Sequence, residues 1–332
     1  MSYTSTKKQR ILLIDGHNLF IRCWSVIPTL SENGDHNGGT FGFLRSLRKL
    51  IVEHQATKAI VCWEGKNNSA RRRKIFKEYK ANRSMPKRVN RAYDFGETLQ
   101  DQIKDMKDQL QAVKQYLNFF PVYQIQVEYT EADDTIAHIA TNRYPGVEKV
   151  IVSNDKDFLQ LISEDVSVYR PAVKKTLRTP DLIDTFGIHP VNWLIVKAIR
   201  GDSSDNIPGV RGLGEKTILK YLPVMADPEE ITLEKLFTIC EEQSNISKTI
   251  SYEKIIKSKE IIERNYKLMQ LTEVSMSLKA LQTVDEQLAL QKPKLEPFQL
   301  RVRFTKDGAR DQVSRFEYWS TAFMPLNYRE NE

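Results

Sequence analysis

Nine carboxylates in five short motifs of this 332-residue chain are spaced as chemistry would require. Asp15 closes the apolar run RILLID, and Glu64 stands at the end of AIVCWEG. EADD supplies Glu131, Asp133 and Asp134; NDKD supplies Asp155 and Asp157; GDSSD supplies Asp202 and Asp205. Two like charges about 4 Å apart repel by roughly 4 kcal/mol at an effective dielectric near 20, so such a set calls for protons or cations. The motifs contain only oxygen ligands and no His or Cys, which favours Mg²⁺, with Mn²⁺ as a substitute, over zinc. Nine acids suffice for two or more ions, and two ions form the clamp that hydrolyses phosphodiesters. Taken alone, EADD reads as a helix N-terminus and NDKD as a turn and cap.

The elements that would position these acids are visible as short apolar runs. Residues 10–15, 59–65 and 149–155 read as buried strands, each ending in or leading into an acid, with helix-length stretches between them. This pattern predicts a mostly parallel sheet flanked by helices, an α/β fold, with ligands bound beyond the carboxyl ends of the strands. Helices are expected over 41–55 and 97–117. FQLRVRF in the tail alternates like a strand.

Charge supplies the complementary sign. Lys66 to Arg91 holds eleven Lys and Arg against one acid, a local charge of +10; the chain's net +7 leaves −3 for the remainder. A mildly acidic body with one strongly basic segment is the footprint of a protein that grips a polyanion. Three dispersed cysteines, Cys23, Cys62 and Cys240, indicate neither disulfides nor zinc, and buried thiols are expected. The polar start and short apolar runs predict an intracellular, cytoplasmic protein with no membrane partner.

GDSSDNIPGVRGLGEKT, residues 201–217, nearly spells a P-loop. Gly209 and Gly214 have the spacing, but Glu215 intrudes before Lys216 and Thr217, and no apolar strand leads into the glycines. The stretch reads better as acids that reach a metal centre, Asp202 and Asp205 on one side of a turn, followed by glycine turns at Gly209, Gly212 and Gly214. Backbone N–H groups there and Lys216 would meet a phosphate at the start of a helix over 215–222.

The order DGHN, YKANR, EADD, SNDKDFLQL, GDSSDNIPGVRGLGEKT resembles the 5′-nuclease family, which includes the 5′-3′ exonuclease domain of bacterial DNA polymerase I and phage flap endonucleases. The resemblance runs from about residue 10 to 290. It implies a PIN-like nuclease core over 1–200 with a helical arch or gateway in 66–96, a helix-three-turn-helix DNA-binding region over 201–290, and a tail from 291 to 332. It further implies a two-metal 5′-3′ exonuclease and flap endonuclease acting at 5′ ends, nicks and single-strand/duplex junctions of DNA, with RNA primers in RNA-DNA hybrids as further substrates and a monomeric chain. By match, Asp15, Glu64, Glu131 and Asp133 with Asp134 would serve one metal region, and Asp155, Asp157, Asp202 and Asp205 the other. Lys80 and Arg83, with Arg72, would face the scissile phosphate, while Arg73 and Lys77 would add phosphate affinity. Tyr79 would stack on a base or pack in the core. K⁺ would bridge the glycine turn and the duplex, and His17 and Asn18 would make structural hydrogen bonds. Glu64 departs from the family's usual Asp. That departure leaves room for an alternative, a catalytically impaired structure-specific DNA-binding factor, and the glycine stretch for a third, an ATP-driven nucleic-acid enzyme.

Overall fold

The computed structural model describes residues 9–93, 96–247, 249–272, 276–313 and 315–327. Six strands form one sheet: β1 (Arg10–Asp15), β2 (Lys58–Trp63), β3 (Tyr123–Gln126), β4 (Glu148–Val152), β5 (Val166–Arg170) and β6 (Lys175–Leu177), in the order β3-β2-β1-β4-β5-β6. The first five run parallel, and only β6 is antiparallel. From β1 the chain builds outward to β2 and β3, then returns to place β4 on the other side of β1. That reversal makes the β1/β4 boundary the topological switch point, where α/β sheets open a crevice for ligands.

The central strands β1, β2 and β4 are largely apolar because both faces are covered. Successive side chains alternate, so Ile11, Leu13, Ile60, Cys62 and Ile151 enter one core while Leu12, Ile14, Val61, Trp63, Val150 and Val152 enter the other. The second face is packed by α1 (Gly16–Val26), α2 (Gly38–Glu53) and α4 (Leu99–Leu117). The first is packed by α5 (Ala132–Asn142), α7 (Trp193–Arg200) and the later helices α8 (Glu215–Tyr221), α9 (Leu233–Ser247), α10 (Ile250–Lys257), α11 (Lys259–Met269) and α12 (Leu278–Leu290). Two short helices, α3 (Ala70–Ile75) and α6 (Thr179–Phe186), complete the set up to residue 290. All three cysteines are buried free thiols, and no helix among the described residues is long and apolar enough to cross a membrane.

Two expectations are corrected. FQLRVRF is not a strand but lies in helix α13 (Pro297–Lys306). Alternation would put Phe298, Leu300, Val302 and Phe304 on one face; instead Leu300 and Phe304, one helical turn apart, are buried, and Phe298 and Val302 are exposed. Pro297 sits in the first turn, where its missing N–H costs nothing. With α14 (Phe316–Thr321), α13 closes the second core through Phe304, Trp319 and Phe323, which pack on Phe41, Tyr116 and Phe120. The basic segment is not a helical arch either. Among its described residues only α3 is helical; residues 76–93 form turns and extended chain, because Pro86 and mutually repelling cations oppose a helix. The far end of that chain is tied down by the N–H groups of Val89 and Asn90, which donate to the Ser25 carbonyl.

Strand β3 is an edge, and α12 covers it by side-chain mimicry of a strand. Gln291 accepts from the Gln124 N–H (2.9 Å) and donates to its carbonyl (2.8 Å). Gln287, one turn earlier, does the same for Gln126 (3.0 and 2.9 Å). Unpaired edge groups template pairing with another chain. The double variant Gln287→Ala/Gln291→Ala should therefore self-associate in a concentration-dependent way, read by light scattering, and amide exchange at Gln124 and Gln126 should accelerate. A strictly monomeric variant with unchanged exchange would show that the clasp is dispensable.

Candidate active site

The carboxyl ends of β1, β2 and β4 bring the first acids together. Asp15 ends β1 and caps α1: its Oδ1 accepts from the Asn18 N–H (3.0 Å) and its Oδ2 from the Ser153 hydroxyl (3.0 Å). Gly16 follows because any side chain there would collide with the Trp63 ring, 2.4 Å from an added Cβ. Just after β4, Asp155 caps a short 3₁₀ turn and accepts from the Asp157 N–H (2.9 Å). Asn18 accepts from the Asn154 N–H (3.3 Å), and His17 Nδ1 accepts from the Glu64 N–H (3.2 Å). Burial, with Lys114 nearby, lowers His17 to about 4, so the ring is neutral and its proton sits on Nε2.

EADD opens α5, with Glu131 at the N-cap position and Asp133 and Asp134 in the first turn. Glu131 is fully buried. Its Oε2 accepts from Lys80 Nζ (2.7 Å) and Tyr79 Oη (3.1 Å) and forms an ion pair with Arg72 Nη1 at 3.2 Å, whereas Oε1 is buried with no hydrogen-bond partner among the described residues. Burial works against its charge, but Arg72 and Lys80 outweigh it and hold the carboxyl below its ordinary range. Asp134 is engaged by both Arg72 nitrogens (2.8 and 2.9 Å).

The GDSSDN turn approaches from the other side. Gly201 and Gly209 run so close that a Cβ on Gly209 would lie 1.9 Å from the Arg200 carbonyl. Asp202 Oδ2 accepts from Lys197 Nζ (2.7 Å), which also contacts Asp157, while Asp205 Oδ1 accepts from Arg83 Nη2 (2.5 Å). Burial disfavours the charged form of Asp202, but Lys197 prevails and lowers it to about 2. Asp202 and Asp205 thus share a turn but not a counter-ion. The turn is stitched to the basic segment by the Lys80 N–H on the Asp205 carbonyl (2.9 Å) and by Asn206 on the Glu78 carbonyl (2.8 Å).

Four carboxylates, Asp15, Glu64, Asp133 and Asp155, have no ion pair among the described residues. Burial raises all four. Burial, reinforced by Glu64 and Asp155, pushes Asp15 up to about 7. Burial and Asp155 drive Asp133 well above the carboxylate range; burial raises Asp155, with Asp205 and Asp202 adding to it against Lys197; burial and Glu131 raise Glu64. Lys80 lies between the groups, with Glu131, Asp133 and Asp205 keeping it protonated against burial. Its φ of 56° is a left-handed conformation uncommon for a side-chain-bearing residue and typical of functional sites.

Some assigned residues do other work. Tyr79 is 3% exposed and offers no ring face to a base; it packs in the first core and hydrogen-bonds Glu131 and Asp205 (3.3 Å). Arg72, also 3% exposed, cannot face a phosphate: besides Asp134 it donates from Nε to the Leu268 carbonyl (2.9 Å), joining α3, α5 and α11. Arg73, Lys74 and Lys77 are exposed, as are Gly212, Gly214 and Lys216. Gly212 adopts φ +81°, and Gly214 precedes α8 as its N-cap. Lys197 was missed by sequence reasoning. Within WLIVKAIR it looks like one polar residue of an amphipathic helix, and only its burial at 2% among acids marks it.

Residues 10–187 match the family model of the 5′-3′ exonuclease N-terminal resolvase-like domain, and residues 188–295 that of the 5′-3′ exonuclease C-terminal SAM fold. The chain belongs to the 5′-3′ exonuclease family. Among relatives in the family, a 5′-3′ exonuclease of Buchnera aphidicola is 31% identical over 230 residues, covering 68% of this chain and 74% of that protein. The thermostable DNA polymerase I of Thermus filiformis is 33% identical over 225 residues, 67% of this chain, and the chain spans 25% of that enzyme's length. In structure, the chain is similar to a bacteriophage T5 flap endonuclease in a product complex with DNA and metal ions, with TM-score 0.64 at 19% identity, covering 85% of this chain and 98% of the other. A zinc-bound T5 5′-exonuclease gives 0.60 at 17%, covering 96% and 100%. These likenesses extend the shared fold across both units.

Proposed function

We propose that the protein is a divalent-metal-dependent 5′-3′ exonuclease and 5′ flap endonuclease that hydrolyses DNA at 5′ ends, nicks and single-strand/duplex junctions. The observation that carries this reading is the set of ion-pair-free carboxylates at the β1/β4 switch point, bordered by Lys80 and an exposed basic segment. The donor set fits a hard cation: it is all oxygen, and the buried Glu131 Oε1 lacks a partner. Among the described residues, no three His, Cys, Asp or Glu donors close to ligating distance. Mg²⁺ or Mn²⁺, which keep several waters, are the ions proposed. Asp15, Asp133 and Asp155 would hold one ion, and Asp157, Asp202 and Asp205 a second. When bound, the ions supply an activated water and charge stabilisation.

The chain's own residues do the rest. Lys80, kept protonated by its acidic neighbours, is fixed by its backbone N–H on Asp205 and would stabilise charge developing on the phosphate oxygens. Arg83 orients Asp205. Arg73, Lys74 and Lys77 attract the DNA backbone in a salt-dependent way, and the Gly212–Gly214 turn with Lys216 offers a second phosphate contact beside the duplex, with K⁺ as its companion ion. RNA primers in RNA-DNA hybrids are included as substrates, and the chain acts as a monomer.

The test is cleavage of end-labelled flap, nicked and blunt duplexes with Mg²⁺, Mn²⁺ or EDTA; hydrolysis that survives EDTA removes the metal mechanism. Lys80→Ala should lower single-turnover cleavage about 10²- to 10³-fold, the scale of one preorganised electrostatic donor, with little change in DNA affinity. Loss of binding with intact cleavage of bound DNA would instead make Lys80 a grip.

A further inference from the structure

Glu64 is held at four points. Its N–H donates to His17 Nδ1 (3.2 Å), and its carbonyl accepts from Gln126 Nε2 (2.8 Å). Its Oε2 accepts from Asn68 Nδ2 (2.6 Å) and from the Ala132 N–H (3.1 Å). Ala132 is the first residue of α5 and fully buried, so its N–H would be an orphan without an acceptor. Glu131, which occupies the N-cap position, does not provide one. Its side chain makes no capping bond and is turned to Tyr79, Lys80 and Arg72. A capping acceptor therefore comes from another element, the loop after β2. The pinned backbone of Glu64 cannot advance toward α5, so reach depends on side-chain length. An aspartate here would fall short by one C–C bond, about 1.5 Å.

We propose that Glu64 is a positioning residue: it caps α5 and so sets Glu131 and Asp133 at the site, and it is not a ligand of the cation. This rests on the nuclease reading above, but its two consequences separate from it. A ligand needs charge at the right place, whereas a cap needs an acceptor oxygen at the right length. Gln keeps length and acceptor while losing the charge; Asp keeps the charge and loses length.

Two measurements on the full chain decide between them. In Mn²⁺ titration of the metal-free protein by calorimetry, Glu64→Gln should bind within about threefold of wild type, while Asp133→Asn weakens binding about tenfold or more. In hydrogen exchange, the Ala132 amide should stay protected in wild type and Glu64→Gln, and exchange about tenfold faster or more in Glu64→Asp and Glu64→Ala. Glu64→Gln losing Mn²⁺ as Asp133→Asn does, or Glu64→Asp keeping Ala132 protected, overturns the proposal. Asp133→Asn binding Mn²⁺ like wild type would defeat the nuclease reading instead; the Ala132 exchange needs no cation and still decides the cap.

Discussion

Asp155→Asn should fold, bind flap DNA at least as tightly as wild type, and cleave it about a thousandfold more slowly or worse, the loss expected when roughly 4 kcal/mol of transition-state stabilisation is removed. The fold survives because the structural duty of Asp155, accepting the Asp157 N–H, is met equally by an amide oxygen. Binding should survive because the substitution leaves the exposed cations Arg73, Lys74 and Lys77 in place, and one fewer negative charge near the phosphate opposes nothing. Cleavage fails because Asp155 is the carboxylate on which Asp133, Asp202 and Asp205 converge electrostatically, without an ion pair of its own among the described residues. Single-turnover cleavage alongside a binding isotherm is the measurement. Near-wild-type cleavage would remove the reading that Asp155 serves the metal chemistry; a wild-type chain that binds flap DNA without cleaving it would instead leave the DNA-binding-factor alternative.

Arg72→Ala should cost about 3–5 kcal/mol of stability, the range for breaking a buried ion pair by removing one partner. Asp134 would lose both of its short contacts to the guanidinium, Glu131 one of three, and the Leu268 carbonyl its donor. Arg72→Lys should recover little, since an ammonium cannot reproduce the two-pronged contact with Asp134. Arg73→Ala, one residue along and exposed, should change stability by less than about 0.5 kcal/mol. Urea denaturation compares the three. If Arg72→Ala matches Arg73→Ala, the guanidinium is not what joins α3 to α5 and α11.

The contrast between these two arginines shows where the sequence stops being informative. Both lie in the same basic run, and phosphate binding was assigned to both. Their sorting depends on α3 turning one side toward α5 and leaving the next in solvent, which no local pattern encodes. Tyr79 follows the same rule, since its neighbours Lys80 and Arg83 make it look like part of a nucleic-acid surface while the fold tucks its ring into the core. FQLRVRF failed for a different reason. Four apolar residues at every second position satisfy a strand, yet half of them also satisfy a helix, and the aromatic pocket formed by Phe41, Tyr116 and Phe120 selects the half that fits. β3 and β6 are short and mostly polar, and β5 alternates apolar and polar residues over only five positions, so none carries a long apolar run.

By itself the sequence determined the family, the parallel sheet core, and which acids stand at strand ends and turns. These properties are local: apolar runs set strands, carboxylates after them fall at one sheet edge, and motif order survives in the linear text. Only the tertiary structure decided which charges are matched. Lys197 with Asp157 and Asp202, Arg72 with Asp134, Arg83 with Asp205, and Glu64 on the Ala132 N–H are all pairings between separate elements. Whether a carboxylate gains a cationic side chain, caps a helix or has no ion pair depends on the packing that brings its partner within about 3 Å, because hydrogen bonds need that distance and ion pairs weaken as charges move apart.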